Sequence, residues 1–303
     1  MMLRVLALTL AVSLLAVDAR GIIFASTDDP TFNSTEPSGE YADSGWQFEG
    51  GWNGLLGTAI APEYFVTANH IGGTLGDSFK FQGGSYVTDA TYAIDGTDLR
   101  LWHVTSTLPI YAPLYRKDDE VGKDLVVFGK GTERGAEVVL AGGVHGWLWG
   151  PADGVMRWGT NTVATAGDNA PYGQLISATF TPGATPFEAH LSVGDSSGGV
   201  FIKDDDGVWK LAGVNFAVDG PYYTSVLGDG EFNAALYDQT GYFQHDKTVY
   251  VPSIGPGSFY ASRISTNAAA IDAIAHAPEP TALSVFACGI GLVGGIARRR
   301  RGA

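Results

Sequence analysis

Residues 193–200 read Val-Gly-Asp-Ser-Ser-Gly-Gly-Val, two adjacent serines inside a glycine-rich turn. Such a turn presents a reactive hydroxyl only if the chain also supplies a base, a carboxylate to fix that base, and backbone N–H groups for an oxyanion. Gly194 has the backbone freedom to aim its N–H inward, and either Ser196 or Ser197 can offer the hydroxyl. Gly-Asp-Ser clusters are otherwise ordinary turn material. The reading therefore turns on what lies upstream.

Upstream, Phe65-Val66-Thr67-Ala68-Asn69-His70 carries a histidine at the end of a β-rich run, followed by Ile71-Gly72-Gly73. Thr97-Asp98-Leu99-Arg100-Leu101-Trp102 opens a second run with a carboxylate. A lone histidine is more often structural, and Asp98 taken singly is equally a turn residue. Together with the serine turn, the segments resemble the trypsin/chymotrypsin-like serine proteases. Thr67-Ala68-Asn69-His70 is similar to that family's Thr-Ala-Ala-His, and Asp98-Leu99-Arg100-Leu101 to its Asp-Ile-Ala-Leu. Residues 193–200 match its Gly-Asp-Ser-Gly-Gly-Pro without a gap, and the order His, Asp, Ser is the family's. Residues 207–214 resemble the hairpin strand after the nucleophile, and 256–274 the closing strand and C-terminal helix. The resemblance spans roughly 46–276.

The resemblance implies an all-β fold of two six-stranded antiparallel barrels with a short C-terminal helix. It implies a serine endopeptidase with His70 as general base, Asp98 as its orienter, Ser196 as nucleophile, and the N–H groups of Gly194 and Ser196 as oxyanion hole. The gapless register favours Ser196; the rival register takes Ser197 and displaces Gly194 and Asp195. Ser197 stands where the family has glycine, which adds a β-carbon beside the nucleophile. The same register puts His190 at the base of the primary specificity pocket, where it would favour an acidic side chain unless it points away. Asn215, Phe216 and Ala217 fall on the edge that receives substrate as an added strand. In many members a freed amine pairs with the aspartate before the serine, here Asp195, and Arg20-Gly21-Ile22-Ile23 is a faint match to that terminus. A catalytically inactive, protease-like binding protein is the alternative. An all-β glycan-binding module using Trp147, Trp149 and Trp158 is a third reading, although such tryptophans are more often barrel-packing residues.

Both ends of the 303-residue chain read as addresses. Arg4, an apolar run over 5–17 and Ala19 form a signal-peptide pattern over 1–19. Pro278-Glu279-Pro280, the uncharged run 281–297 and four arginines at 298–301 resemble the PEP-CTERM sorting tail of Gram-negative bacteria. That resemblance implies export to the cell surface or matrix, transient inner-membrane anchoring through 278–303, and an exosortase-type processing partner. Without Arg4, Asp18, Glu279 and the four terminal arginines, the formal charge moves from −14 to near −17. This disfavours nucleic acid or an anionic membrane as partner. The single cysteine, Cys288, lies in the tail, so the body forms no disulfide. No cofactor is implied, and Asp204-Asp205-Asp206 reads as a solvated hairpin tip rather than a calcium site.

Between the ends, short strands are expected at 58–60, 64–67, 99–104, 125–128, 200–203 and 208–214, with a hairpin at Asp206-Gly207. The expected organisation is a lead-in over 20–45, a first barrel over 46–125 and a second over 126–277. Within the second barrel, an irregular insertion is expected at 219–255, and a helix from Ala268 capped by 265–267.

Overall fold

The computed structural model describes residues 19–245, 250–252 and 255–276. The expected signal peptide, apart from its last residue, and the sorting tail lie outside the described residues. Among those described, no helix is long and apolar enough to cross a membrane.

The first barrel closes through Glu49–Trp52, Leu55–Ala61, Tyr64–Ala68, Leu99–Val104, Gly84–Ala93 and Ser78–Phe81, in that spatial order, every pairing antiparallel. Leu55–Ala61 and Tyr64–Ala68 are buried on both faces and read as apolar runs, whereas Gly84–Ala93 is mostly exposed or half-buried and Ser78–Phe81 alternates. Phe65 points inward and stacks on Phe79 at 4.1 Å, and Trp52 meets Trp102 at 4.6 Å. Val66, Ala68, Leu99 and Leu101 face the other way, toward Val126, Phe128, Phe201 and Val214 of the second barrel. One strand thus serves the barrel core with alternate residues and the seam between barrels with the rest.

The second barrel closes through Arg157–Asp168, Gln174–Thr179, Ser258–Arg263, Trp209–Val218, Gly199–Lys203 and Asp124–Gly129. Leu125, Val127, Ile176, Val200, Ile202 and Phe259 fill it. Two closed, six-stranded antiparallel barrels and one short helix, Ala268–Ala275, make this a chymotrypsin-like fold. Closure pairs each strand on both sides over at least part of its length, which suits a body with no disulfide.

Three features differ from the sequence expectation. The long strands Thr132–Leu140 and Gly143–Val155 form a hairpin outside both barrels. The stretch expected to be irregular supplies Ala234–Leu236 to that hairpin, and Tyr222–Tyr223 and Phe243–His245 to a small separate sheet. Residues 265–267 do not cap the helix: they form a 3-10 turn, with Asn267 Nδ2 donating to the Arg263 carbonyl and Ser265 Oγ donating to Glu120. A buried Arg263–Glu120 ion pair claims that serine, so the helix start is held by tertiary contacts.

Candidate active site

Tyr64–Ala68 and Leu99–Val104 pair antiparallel with Ala68 opposite Leu99, so the end of one strand lies beside the start of the other. His70 follows the first on a 3-10 turn, Asn69–Ile71, and Asp98 precedes the second. The Asp98 carbonyl accepts the Asn69 amide at 2.6 Å, and its carboxylate accepts the His70 amide at 2.9 Å. The same carboxylate receives His70 Nδ1 at 2.6 Å. With its proton on Nδ1, the ring leaves Nε2 as acceptor, and Ser196 Oγ lies 2.9 Å from it. Asp98 is buried while the imidazole is 41% exposed, so the pair opens onto solvent from the histidine side.

The structure distinguishes the two serines. Ser196 Oγ faces His70, whereas Ser197 is 0% exposed and its Oγ accepts the Ala68 amide at 3.0 Å. Ser197 therefore bonds the serine turn of the second barrel to the histidine strand of the first. It does so at φ +73°, a left-handed conformation that costs a non-glycine residue on the order of 1 kcal/mol or more. Gly194 also has positive φ, at +91°, without that cost. Among the described residues, the N–H groups of Gly194 and Ser196 donate to no protein acceptor. Two free amides beside a hydroxyl can receive an oxyanion.

Buried carboxylate chemistry holds the turn. Asp195 accepts the Gly131 amide at 2.7 Å, the Ser192 amide at 2.8 Å, the Ser192 hydroxyl at 3.0 Å and the Ile22 amide at 3.3 Å. Burial pushes its pKa up to about 6, and these donors oppose the rise. The Ile22 donor is a mid-chain amide, preceded by Gly21 in the unbroken chain. Gly129 and Gly131 make this possible, since a β-carbon at either would strike the Asp195 carboxylate or the 192–193 segment. Glu49, from the first barrel, accepts the Gly199 amide at 3.2 Å and the Thr58 hydroxyl at 2.9 Å, and burial pushes it up to about 8.

The expected substrate-binding residues divide. His190 does not line the cleft beside Ser196; this corrects the expectation drawn from the register. It pairs with Ile23 of the N-terminal segment, its ring packs against Phe180 at 5.4 Å and Phe259 at 6.1 Å, and full burial pushes its pKa down. Asn215 borders the cleft, but its Nδ2 is committed to the carbonyls of Phe128 and Asp195, which makes it a brace. Phe216 stands edge-on to His70 at 6.0 Å and meets Tyr172 at 4.8 Å. Pairing with Gly199–Lys203 ends at Val214, so residues 216–218 offer a one-sided edge. Trp149, from the hairpin outside the barrels, also lines the cleft, and no spacing in the sequence marks it for that position. Among the described residues, no three His, Cys, Asp or Glu side chains converge to hold a metal, and Asp204 and Asp206 pair with Lys210.

No protein-family model matches the chain, and no curated protein is significantly similar to it. Solved structures similar to it include kallikrein-related peptidase 10, with TM-score 0.45 and 13% identity over 80% of this chain and 100% of that one. Another is the passenger domain of plasmid encoded toxin, an autotransporter enterotoxin from enteroaggregative Escherichia coli, with TM-score 0.43 and 13% identity over 78% of this chain. This chain spans only 22% of that passenger domain's length.

Proposed function

We propose that the protein is an exported serine endopeptidase. The observation that carries the reading is the line from Asp98 Oδ2 through His70 to Ser196 Oγ, at 2.6 and 2.9 Å, ending beside two unpaired amides. In the proposed reaction His70 Nε2 takes the Ser196 proton as Oγ bonds to the scissile carbonyl carbon. The carbonyl oxygen becomes an oxyanion received by the Gly194 and Ser196 N–H groups. His70, now charged beside Asp98, returns that proton to the departing amine, leaving an acyl-enzyme on Ser196. Water then repeats the sequence, giving its proton to His70 and releasing the acid.

The substrate class is protein or peptide, laid as an extra strand along Phe216 and Ala217. Export is proposed from the sequence pattern at 1–19. Surface delivery with exosortase-type processing is proposed from the pattern at 278–303. The test is fluorophosphonate labelling of the folded chain with peptide mapping. Label on Ser196 that vanishes in Ser196→Ala and His70→Ala is the expected outcome. A folded chain that takes no label is an inactive, protease-like domain.

A further inference from the structure

The cleft beside Ser196 has a volume of about 170 Å³, well under the roughly 300 Å³ of a small-molecule site, and suits one side chain. Its apolar wall is Leu191, Val193, Phe216, Ala217 and Val218 with Trp149 from the hairpin, and Ser192, Ser196 and Asn215 lie among them. Trp149 is fixed there on two sides: it is opposite Arg134 in the hairpin, and its amide donates to the Asn233 carbonyl.

The carboxylates near this cleft are hydrogen-bonded, and the His190 ring is buried with Nδ1 against the Leu191 carbonyl and Nε2 without a partner among the described residues. Asp195 borders the cleft, yet its carboxylate is held by the Ile22, Gly131 and Ser192 donors. His190 is buried against Phe180 and Phe259. Asp219, next after Val218, accepts the Ser258 amide at 2.8 Å and the Tyr260 hydroxyl at 2.9 Å. A glutamate side chain entering here would lose its hydration and find no cation in the lining, and a lysine would find only carboxylates already hydrogen-bonded to neutral donors.

We infer that this cleft takes an uncharged apolar side chain of leucine or methionine size, from the substrate residue whose carbonyl Ser196 attacks, and that Trp149 sets the preference. The inference rests on the peptidase reading above, but its test does not require turnover. The chain carrying Ser196→Ala is titrated calorimetrically with N-acetyl tetrapeptide acids that differ only in the last residue: Leu, Met, Phe, Lys or Glu. Leu and Met peptides are expected to bind at least tenfold more tightly than Lys and Glu peptides, the scale on which an apolar pocket discriminates. Tightest binding of the Lys peptide would overturn the inference and assign the preference to Asp219. Equal binding of all five would also overturn it.

In Trp149→Ala the Phe peptide is expected to gain about tenfold relative to Leu. Should that variant fail to fold, Ala217→Val narrows the cleft from the opposite wall and is expected to lower Leu binding about tenfold. An unchanged ranking in a folded variant would remove Trp149 or that wall as a determinant. Labelling and binding separate the two readings. A chain labelled at Ser196 with no last-residue preference keeps the peptidase and sinks the pocket. A chain that prefers Leu but takes no label keeps the pocket and sinks the peptidase.

Discussion

The two barrels contribute to the site in different ways. The first places His70 and Asp98 at adjoining ends of paired strands, so the β ladder itself sets their spacing, and an aromatic stack around Phe65, Phe79, Trp52 and Trp102 makes that ladder rigid. The second contributes a turn with little regular structure of its own. That turn is held by buried polar groups whose partners are far away in sequence: Asp195 to Ile22 and Gly131, Ser197 to Ala68, Gly199 to Glu49. Chemistry and stability are therefore separable in the first barrel and joined in the second.

The largest expected effect tests that separation. His70→Ala should reduce peptide hydrolysis by about 10⁶-fold and Asp98→Asn by about 10⁴-fold. The thermal midpoint of His70→Ala should be nearly unchanged, because that imidazole opens onto solvent. By contrast, Phe65→Ala should cost about 3–5 kcal/mol in chemical denaturation, the usual scale for emptying an aromatic core position. Any activity remaining in its folded fraction should be near normal.

Asp195→Ala should join the two effects. It strands the amides of Ile22, Gly131 and Ser192 in a buried site, at about 2–3 kcal/mol, and frees the turn that aligns Ser196. A variant as stable as the parent but inactive, or active but unstable, would break the proposed coupling.

Glu49 gives a pH signature at the seam. Its folded pKa, about 8, lies above its ordinary value, so the folded chain binds more protons than the unfolded one from about 4.5 to 8. The stability Glu49 contributes is thus greatest below about pH 4.5 and declines as pH rises through that range, by up to about 1.4 kcal/mol per unit. Asp195 and Glu188, raised by burial to about 6 and about 7, act in the same direction at lower pH. Glu49→Gln should flatten the decline between pH 7 and 8 in urea titrations, and a parallel curve would exclude Glu49 as its source.

The smallest expected effect concerns Ser197. Alanine there keeps the left-handed strain and loses the bond to Ala68, whereas glycine loses the bond and the strain together. Ser197→Gly should therefore be more stable than Ser197→Ala by about 1 kcal/mol. Both should lower kcat with little change in KM if the bond aligns Ser196 with His70.

Much of this is legible in the sequence alone. The runs at 64–67, 99–104 and 200–203 appear as strands shifted by no more than a residue, because strand periodicity and β-branched composition are local properties. Asp206-Gly207 marks its hairpin for the same reason. What escaped the sequence was longer in range. Nothing local says that Gly129 and Gly131 leave room for Asp195, or that the hairpin 132–155 carries Trp149 to the cleft. His190 fits its register position, yet the strand it forms with Ile23 and Phe24 turns its ring into the core.

The sequence by itself determined an all-β chain and the order of His70, Asp98 and Ser196, since turn chemistry and motif order are written along the chain. Its local pattern left barrels and a sandwich open, and the two closed barrels were what the resemblance implied. Only the tertiary structure decided which of two adjacent serine hydroxyls meets the histidine. Ser196 and Ser197 are chemically alike and one residue apart. Their roles diverge because contacts to Ala68, Asn215 and Ile22, more than a hundred residues away in two of the three cases, fix the backbone angles of the turn.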